Sequence, residues 1–168
     1  MLSDSERAAA RDTIRRGLDE DLCYGPDATT LATVPGDAVA TASMVPREPG
    51  VVAGVDVAVL VLDEVLGAGG YEVVHRLEDG TPLQPGEALL TVRAPTRGLL
   101  IAERTMLNLI CHLSGIATAT AAWVAAVRAP GPRSATPAKP CPGCGCCRSM
   151  RYGSAGASTT GSGSATRP

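Results

Sequence analysis

Apolar positions recur at three- and four-residue steps in three stretches of the chain and alternate in several shorter ones. The first helical stretch is announced by Ser3 and Glu6, which have the spacing of a capping box. Ala10, Ile14 and Leu18 then carry a helix to about Leu18, with Arg15 and Arg16 near its end, where positive charge is favourable. The second covers 55–66, with Val57, Leu60, Val61 and Val65 on its apolar side and Asp56, Asp63 and Glu64 at its wet edge. The run from Gly67 to Gly70 stops it. The third and longest opens at about residue 102 and runs to about Arg128. Met106, Leu109, Ile110, Leu113, Ile116, Ala117 and Val124 form its buried face.

Between the helices the period changes to two. Residues 39–45, 51–53, 71–76 and 88–93 read as strands, separated by turns at Gly25-Pro26-Asp27, Pro35-Gly36-Asp37, 46–50 and 77–80. Residues 81–87 form a proline-punctuated connector. The order helix, strands, helix, strands, helix predicts an α+β domain with a small, mostly antiparallel sheet. Residues 129–168 contain no Leu, Ile or Val and show no period. Such a segment cannot bury enough apolar area to offset its ordering entropy, so disorder is expected there. The chain therefore divides into 1–101, a domain; 102–128, a long helix; and 129–168, a tail.

Charge follows the same division. Residues 1–130 hold all seventeen acids and ten arginines, a net of −7, whereas residues 131–168 hold four Arg and one Lys, a net of +5. The acidic part excludes a nucleic-acid binder, and the basic tail has Tyr152 as its only aromatic, too little for base stacking. No apolar run is expected to cross a membrane, and no basic-then-apolar leader opens the chain. Four of the six cysteines lie in the tail, so Cys23 and Cys111 predict no disulfide framework and fit a reducing cytoplasm.

Candidate chemistry concentrates on the long helix. Arg104, Asn108 and His112 fall at four-residue steps on a face distinct from the apolar one. An arginine heading such a stripe offers a planar fork to a carboxylate or phosphate; a solvated helix face is the plain alternative. Asp19-Glu20-Asp21 invites a metal, but three adjacent acids point in different directions on a regular backbone, which favours a solvated loop or helix edge. Cys141, Cys144, Cys146 and Cys147 resemble a zinc knuckle without its histidine or a supporting fold. His75 has no partner in view. Lys139 is the sole lysine, so residues 1–130 lack the hairpin lysine of a biotin- or lipoyl-type carrier.

The run Glu103-Arg104-Thr105-x-Leu107-Asn108, followed by Ser114-Gly115-Ile116-Ala117-Thr118, closely resembles the quinolinate phosphoribosyltransferase family. Asp19-Glu20-Asp21 with Asp27-Ala28-Thr29-Thr30, the segment Gly50-Val51-Val52-Ala53-Gly54, and Pro85-Gly86-Glu87 extend the likeness over residues 1–128. The resemblance implies an N-terminal α/β-sandwich with a hammerhead-like sheet, and a catalytic α/β barrel that is missing here. It implies an enzyme joining quinolinate to phosphoribosyl diphosphate with Mg²⁺, releasing pyrophosphate and CO₂ and forming nicotinate mononucleotide for NAD biosynthesis. It implies a homodimer in which Arg104 reaches a substrate carboxylate in the neighbour's barrel. Asn108 and His112 are further candidates on that stripe, the Mg²⁺ site belongs to the missing barrel, and this chain is expected to be inactive alone. The alternatives are a non-catalytic dimerisation module and a cysteine-rich metal-binding tail on a small α+β domain.

The tail carries one more reading. Back-translated and read one base earlier, Ala135 to Gly145 permits Arg-Asp-Thr-Arg-Lys-Thr-Leu-Pro-Gly-Leu-Arg, which resembles what the family carries after the long helix. A one-base shift near codon 129 accounts for both the loss of resemblance and the composition of the tail.

Overall fold

The computed structural model describes residues 2–128 and 150–153. Its elements are α1 (Asp4–Asp21), α2 (Ala28–Thr33), β1 (Val39–Met44), β2 (Gly50–Val51), α3 (Val55–Leu66), β3 (Glu72–Arg76), β4 (Pro82–Leu83), β5 (Leu90–Pro95), α4 (Thr96–Arg128) and β6 (Met150–Gly153). Four strands pair antiparallel in the order β3-β5-β1-β6, and β2 pairs with β4 in a separate two-stranded ribbon. The expected α+β class and its small antiparallel sheet are both present.

The strands show why the sheet has an inside. Ala42 and Met44 of β1, and Leu90, Val92 and Ala94 of β5, alternate inward and are buried. They share one core with Ile14 of α1, Leu60 and Leu62 of α3, and Leu99, Met106 and Ile110 of α4. Strand β3 contributes little, since every one of its residues is exposed. Ser43 and Thr91, directly opposite across β1 and β5, join hydroxyls at 2.9 Å on the outer face.

Several boundaries differ from the sequence reading, each for a physical reason. Helix α1 continues through Asp19 and Glu20 to Asp21, with Leu22 as its C-cap, so Arg15 and Arg16 lie outside its last turn. Arg15, with Arg11, instead pairs with Glu64 of α3. Helix α2 was not expected; Asp27 starts it by accepting the Thr30 N–H at 3.0 Å, an N-cap signal present in the sequence. Helix α4 begins at Thr96, directly after β5, rather than near residue 102. Its first turn is held from outside: Arg97 donates to the carbonyls of Leu31 and Val34 at the end of α2.

One further expectation is corrected. Met150–Gly153, inside the segment expected to be disordered, forms β6 along the edge of β1. Backbone pairing to an open edge needs no Leu, Ile or Val, so composition did not reveal it. The four tail cysteines lie outside the described residues. Helix α4 also contains an 18-residue window of mean hydropathy 1.5, long and apolar enough to cross a membrane by length and composition alone, a test that core helices of water-soluble proteins also pass. Leu99, Ala102, Met106 and Ile110 of this helix are fully buried core residues.

The long helix docks through motif segments. Gly50 and Gly54 bracket a stretch of backbone that lies against α4. A Cβ on Gly50 would stand 2.8 Å from Thr118 Oγ1, and one on Gly54 would stand 2.5 Å from Leu113 Cδ1. Thr118 Oγ1 accepts the Val51 N–H at 2.9 Å, and Ser114 Oγ accepts the Ala53 N–H at 3.0 Å while donating to the Ala53 carbonyl at 3.1 Å. The two hydroxyls, one turn apart, satisfy alternate backbone groups of the segment as a neighbouring strand would.

Candidate functional site

Arg104, Asn108 and His112 emerge on one exposed stripe of α4, as their spacing required. Thr105, beside Arg104, turns inward and is 5% exposed, packing over Gly17 of α1. The helix therefore presents Arg104 at the seam with α1. The arginine side chain is 75% exposed, and its Nε lies 3.3 Å from Asp21 Oδ1. Asp21 Oδ2 also accepts a long hydrogen bond from Thr105 Oγ1, at 3.4 Å.

This ion pair separates two hollows. One, of about 150 Å³, lies between α1 and α4 and is lined by Thr13, Gly17, Glu20, Asp21, Arg104, Thr105, Asn108 and Leu109. The other, of about 350 Å³, is lined by Asp21, the loop through Leu22, Tyr24 and Asp27, and Leu100, Ile101 and Arg104 of α4. Tyr24 stands fully exposed at its rim. Among the described residues Arg104 is the only cation lining either hollow, and Asn108 lines the smaller; His112 lines neither. One guanidinium facing an aspartate can engage one planar anion but cannot neutralise a multiply charged pair of ligands.

Asp21 is the residue that sequence reasoning missed. It was read with Asp19 and Glu20 as a solvated acidic edge. The available signal was its position: three acids closing a helix oppose the negative end of the helix dipole and call for a cation from elsewhere. Among the described residues no three His, Cys, Asp or Glu side chains converge on a metal position. Cys23, which is exposed, and the half-buried Cys111 form no disulfide with each other.

A third hollow, of about 270 Å³, lies at the start of α3 and is polar, with Asp56, Arg76, Glu78 and Asp79 in its wall. Its groups serve the fold. Asp79 accepts the Gly54 and Val55 N–H groups at 3.0 Å each, capping α3, and Arg76 pairs with Asp56 at 3.2 Å.

The geometry can be set beside known proteins. The family model "Quinolinate phosphoribosyl transferase, N-terminal domain" matches residues 27–114. The nicotinate-nucleotide pyrophosphorylase [carboxylating] of Mycobacterium leprae is 71% identical over 128 residues, covering 76% of this chain and 45% of the relative. A probable nicotinate-nucleotide pyrophosphorylase [carboxylating] of Methanothermobacter thermautotrophicus is 38% identical over 134 residues, covering 79% of this chain and 46% of its own. Among solved structures, NadC from Streptococcus pyogenes superposes with a TM-score of 0.67 at 34% identity, covering 74% of this chain and 44% of that one. The nicotinate-nucleotide pyrophosphorylase of Francisella tularensis gives 0.65 at 27% identity, with 72% and 42% covered. The chain thus spans less than half the length of the relatives it matches.

Proposed function

We propose a role from one premise: the chain belongs to the quinolinate phosphoribosyltransferase family, through that family's N-terminal domain. In the whole enzyme the reaction couples quinolinate to phosphoribosyl diphosphate, with loss of pyrophosphate and CO₂, and yields nicotinate mononucleotide for NAD biosynthesis. This chain contributes the scaffold of that enzyme and one ligand-binding group, Arg104, offered to a pocket completed by a second subunit of a cytoplasmic homodimer. Alone it has no transferase activity.

The observation that carries this reading is the state of Arg104. It is exposed, stands on α4 and, among the described residues, is the sole cation of the hollows beside it. A dicarboxylate needs several positive donors, and a departing pyrophosphate needs more. Asn108, one turn on, lines the smaller hollow with Arg104, and His112, a further turn on, lines neither. No catalytic step is therefore assigned to this chain; its residues bind and orient.

Two experiments test the proposal. Purified chain incubated with quinolinate, phosphoribosyl diphosphate and Mg²⁺ should form no nicotinate mononucleotide; product formation would overturn it. The second uses the Mycobacterium leprae relative with its residue aligned to Arg104 replaced by alanine. Co-expression with this chain should restore activity through mixed dimers, and an Arg104→Ala chain should not. The one-base shift near codon 129 is proposed as the origin of the tail, and resequencing the gene from codon 120 onward decides it. An intact frame with codons that do not spell the family's residues would sink that part.

A further inference from the structure

Asp21 sits where its own helix disfavours it. It is the last residue of α1, whose final turn holds no basic residue, and a carboxylate there faces the negative end of the helix dipole. Its side chain is 21% exposed. What offsets this placement comes from α4: Arg104 Nε at 3.3 Å and the Thr105 hydroxyl at 3.4 Å. Helix α1 is in turn fixed by its capping box at Ser3 and by Arg11 and Arg15 on Glu64. The carboxylate is thus held on a braced element.

The contact falls at Nε, on one flank of the guanidinium. A guanidinium can bind a carboxylate in two parallel hydrogen bonds either side-on, through Nε and an Nη group, or end-on, through its two Nη groups; with Asp21 on the Nε flank, the end-on edge points away from the pair. A long arginine otherwise loses rotamer freedom when it binds. Fixing its flank in advance removes part of that loss. We propose that Asp21 is a positioning residue for Arg104, holding the guanidinium with its double-donor edge presented before a carboxylate ligand arrives. The proposal rests on the reading that Arg104 is donated to a dicarboxylate site.

The test uses the mixed-dimer assay with the full chain. Asp21→Asn should raise the KM for quinolinate about fivefold and leave kcat within about twofold, the signature of lost ground-state binding. Asp21→Glu, which keeps the charge, should recover most of the affinity. Loss of folded chain would lower the yield of active dimers without raising KM. An unchanged or lowered KM in Asp21→Asn overturns the proposal. A second readout needs no partner. In ¹⁵N spectra of the full chain, the Arg104 Nε–H resonance should stand apart from solvated arginines and join them in Asp21→Asn; identical positions in both chains overturn the proposal. Absence of rescue by the unsubstituted chain sinks the donated-arginine reading, and the resonance then decides separately whether Asp21 holds Arg104.

Discussion

Glu64 shows how a single carboxylate joins two elements. Its side chain is 14% exposed and receives Arg15 Nε at 3.1 Å and the Arg11 guanidinium. The Arg15 hydrogen bond, then that of Arg11, hold its pKa below the ordinary glutamate value, against the opposing effect of burial. A depressed folded-state pKa stabilises above the unfolded-state value, and the gain is lost as pH falls through the folded value. Glu64→Gln should therefore cost about 1 kcal/mol at neutral pH, given that both arginines are partly exposed. The gap to the unsubstituted chain should close in acid. Urea unfolding at neutral and acidic pH measures this, and a pH-independent gap would refute it. Tyr71 marks the other direction: burial first, then its 2.8 Å hydrogen bond to Asp63, push the phenol up to about 12. It therefore remains a donor throughout the neutral range.

Gly98 gives a second case at this scale. It lies inside α4, where alanine would improve intrinsic helix propensity by about 1 kcal/mol. A Cβ there would overlap Leu66 Cδ2, at the contact between α3 and α4. Overpacking of that kind costs about 1–3 kcal/mol and should win. Gly98→Ala is expected to lower Tm despite the better helix former, and a raised Tm would show that Leu66 simply moves aside.

At the scale of elements, the docking of α4 rests on the ladder from Ser114 and Thr118 to the 51–53 backbone. Ser114 is 1% exposed, so Ser114→Ala would leave both backbone groups of Ala53 without their partner, costing about 2 kcal/mol. Hydrogen exchange at Ala53 and Val51 should accelerate more than exchange in β5, and uniform acceleration would mean global destabilisation instead.

This junction also shows how much the sequence disclosed. Helix α3 was legible from end to end because its period and its closing glycines agree. The start of α4 was not. Gly98-Leu99-Leu100-Ile101 is a short apolar run that periodicity alone cannot assign, and the capture of Arg97 by two carbonyls of α2 is a long-range event. The ribbon of β2 and β4 is two residues per strand, below the length at which alternation can be read. Arg104, Asn108 and His112 were placed on one face correctly, because helical spacing fixes that face. The partner of Arg104 was hidden, since nothing local tells which helix the acids of α1 will face.

At the scale of the whole molecule, α4 leads two lives. Its first half supplies Leu99, Ala102, Met106 and Ile110 to the core, and its last buried residue is Ser114. Beyond that point Ile116, Trp123, Val124 and Val127 are exposed, Val127 to 75%. Propensity helps this half, which is rich in alanine, but an isolated run of this length is marginal without a packed face. The apolar residues that a helix ordinarily packs are here in water, and the relatives carry more than half their length beyond what this chain matches. Such a surface favours association. Sedimentation velocity over a concentration series should show self-association of the purified chain. Trp123→Glu together with Val127→Glu should abolish it while leaving Tm unchanged, because neither side chain touches the core. A chain that stays monomeric at every concentration would show that the exposed half of α4 is tolerated by solvent, and that its alanines alone keep it helical.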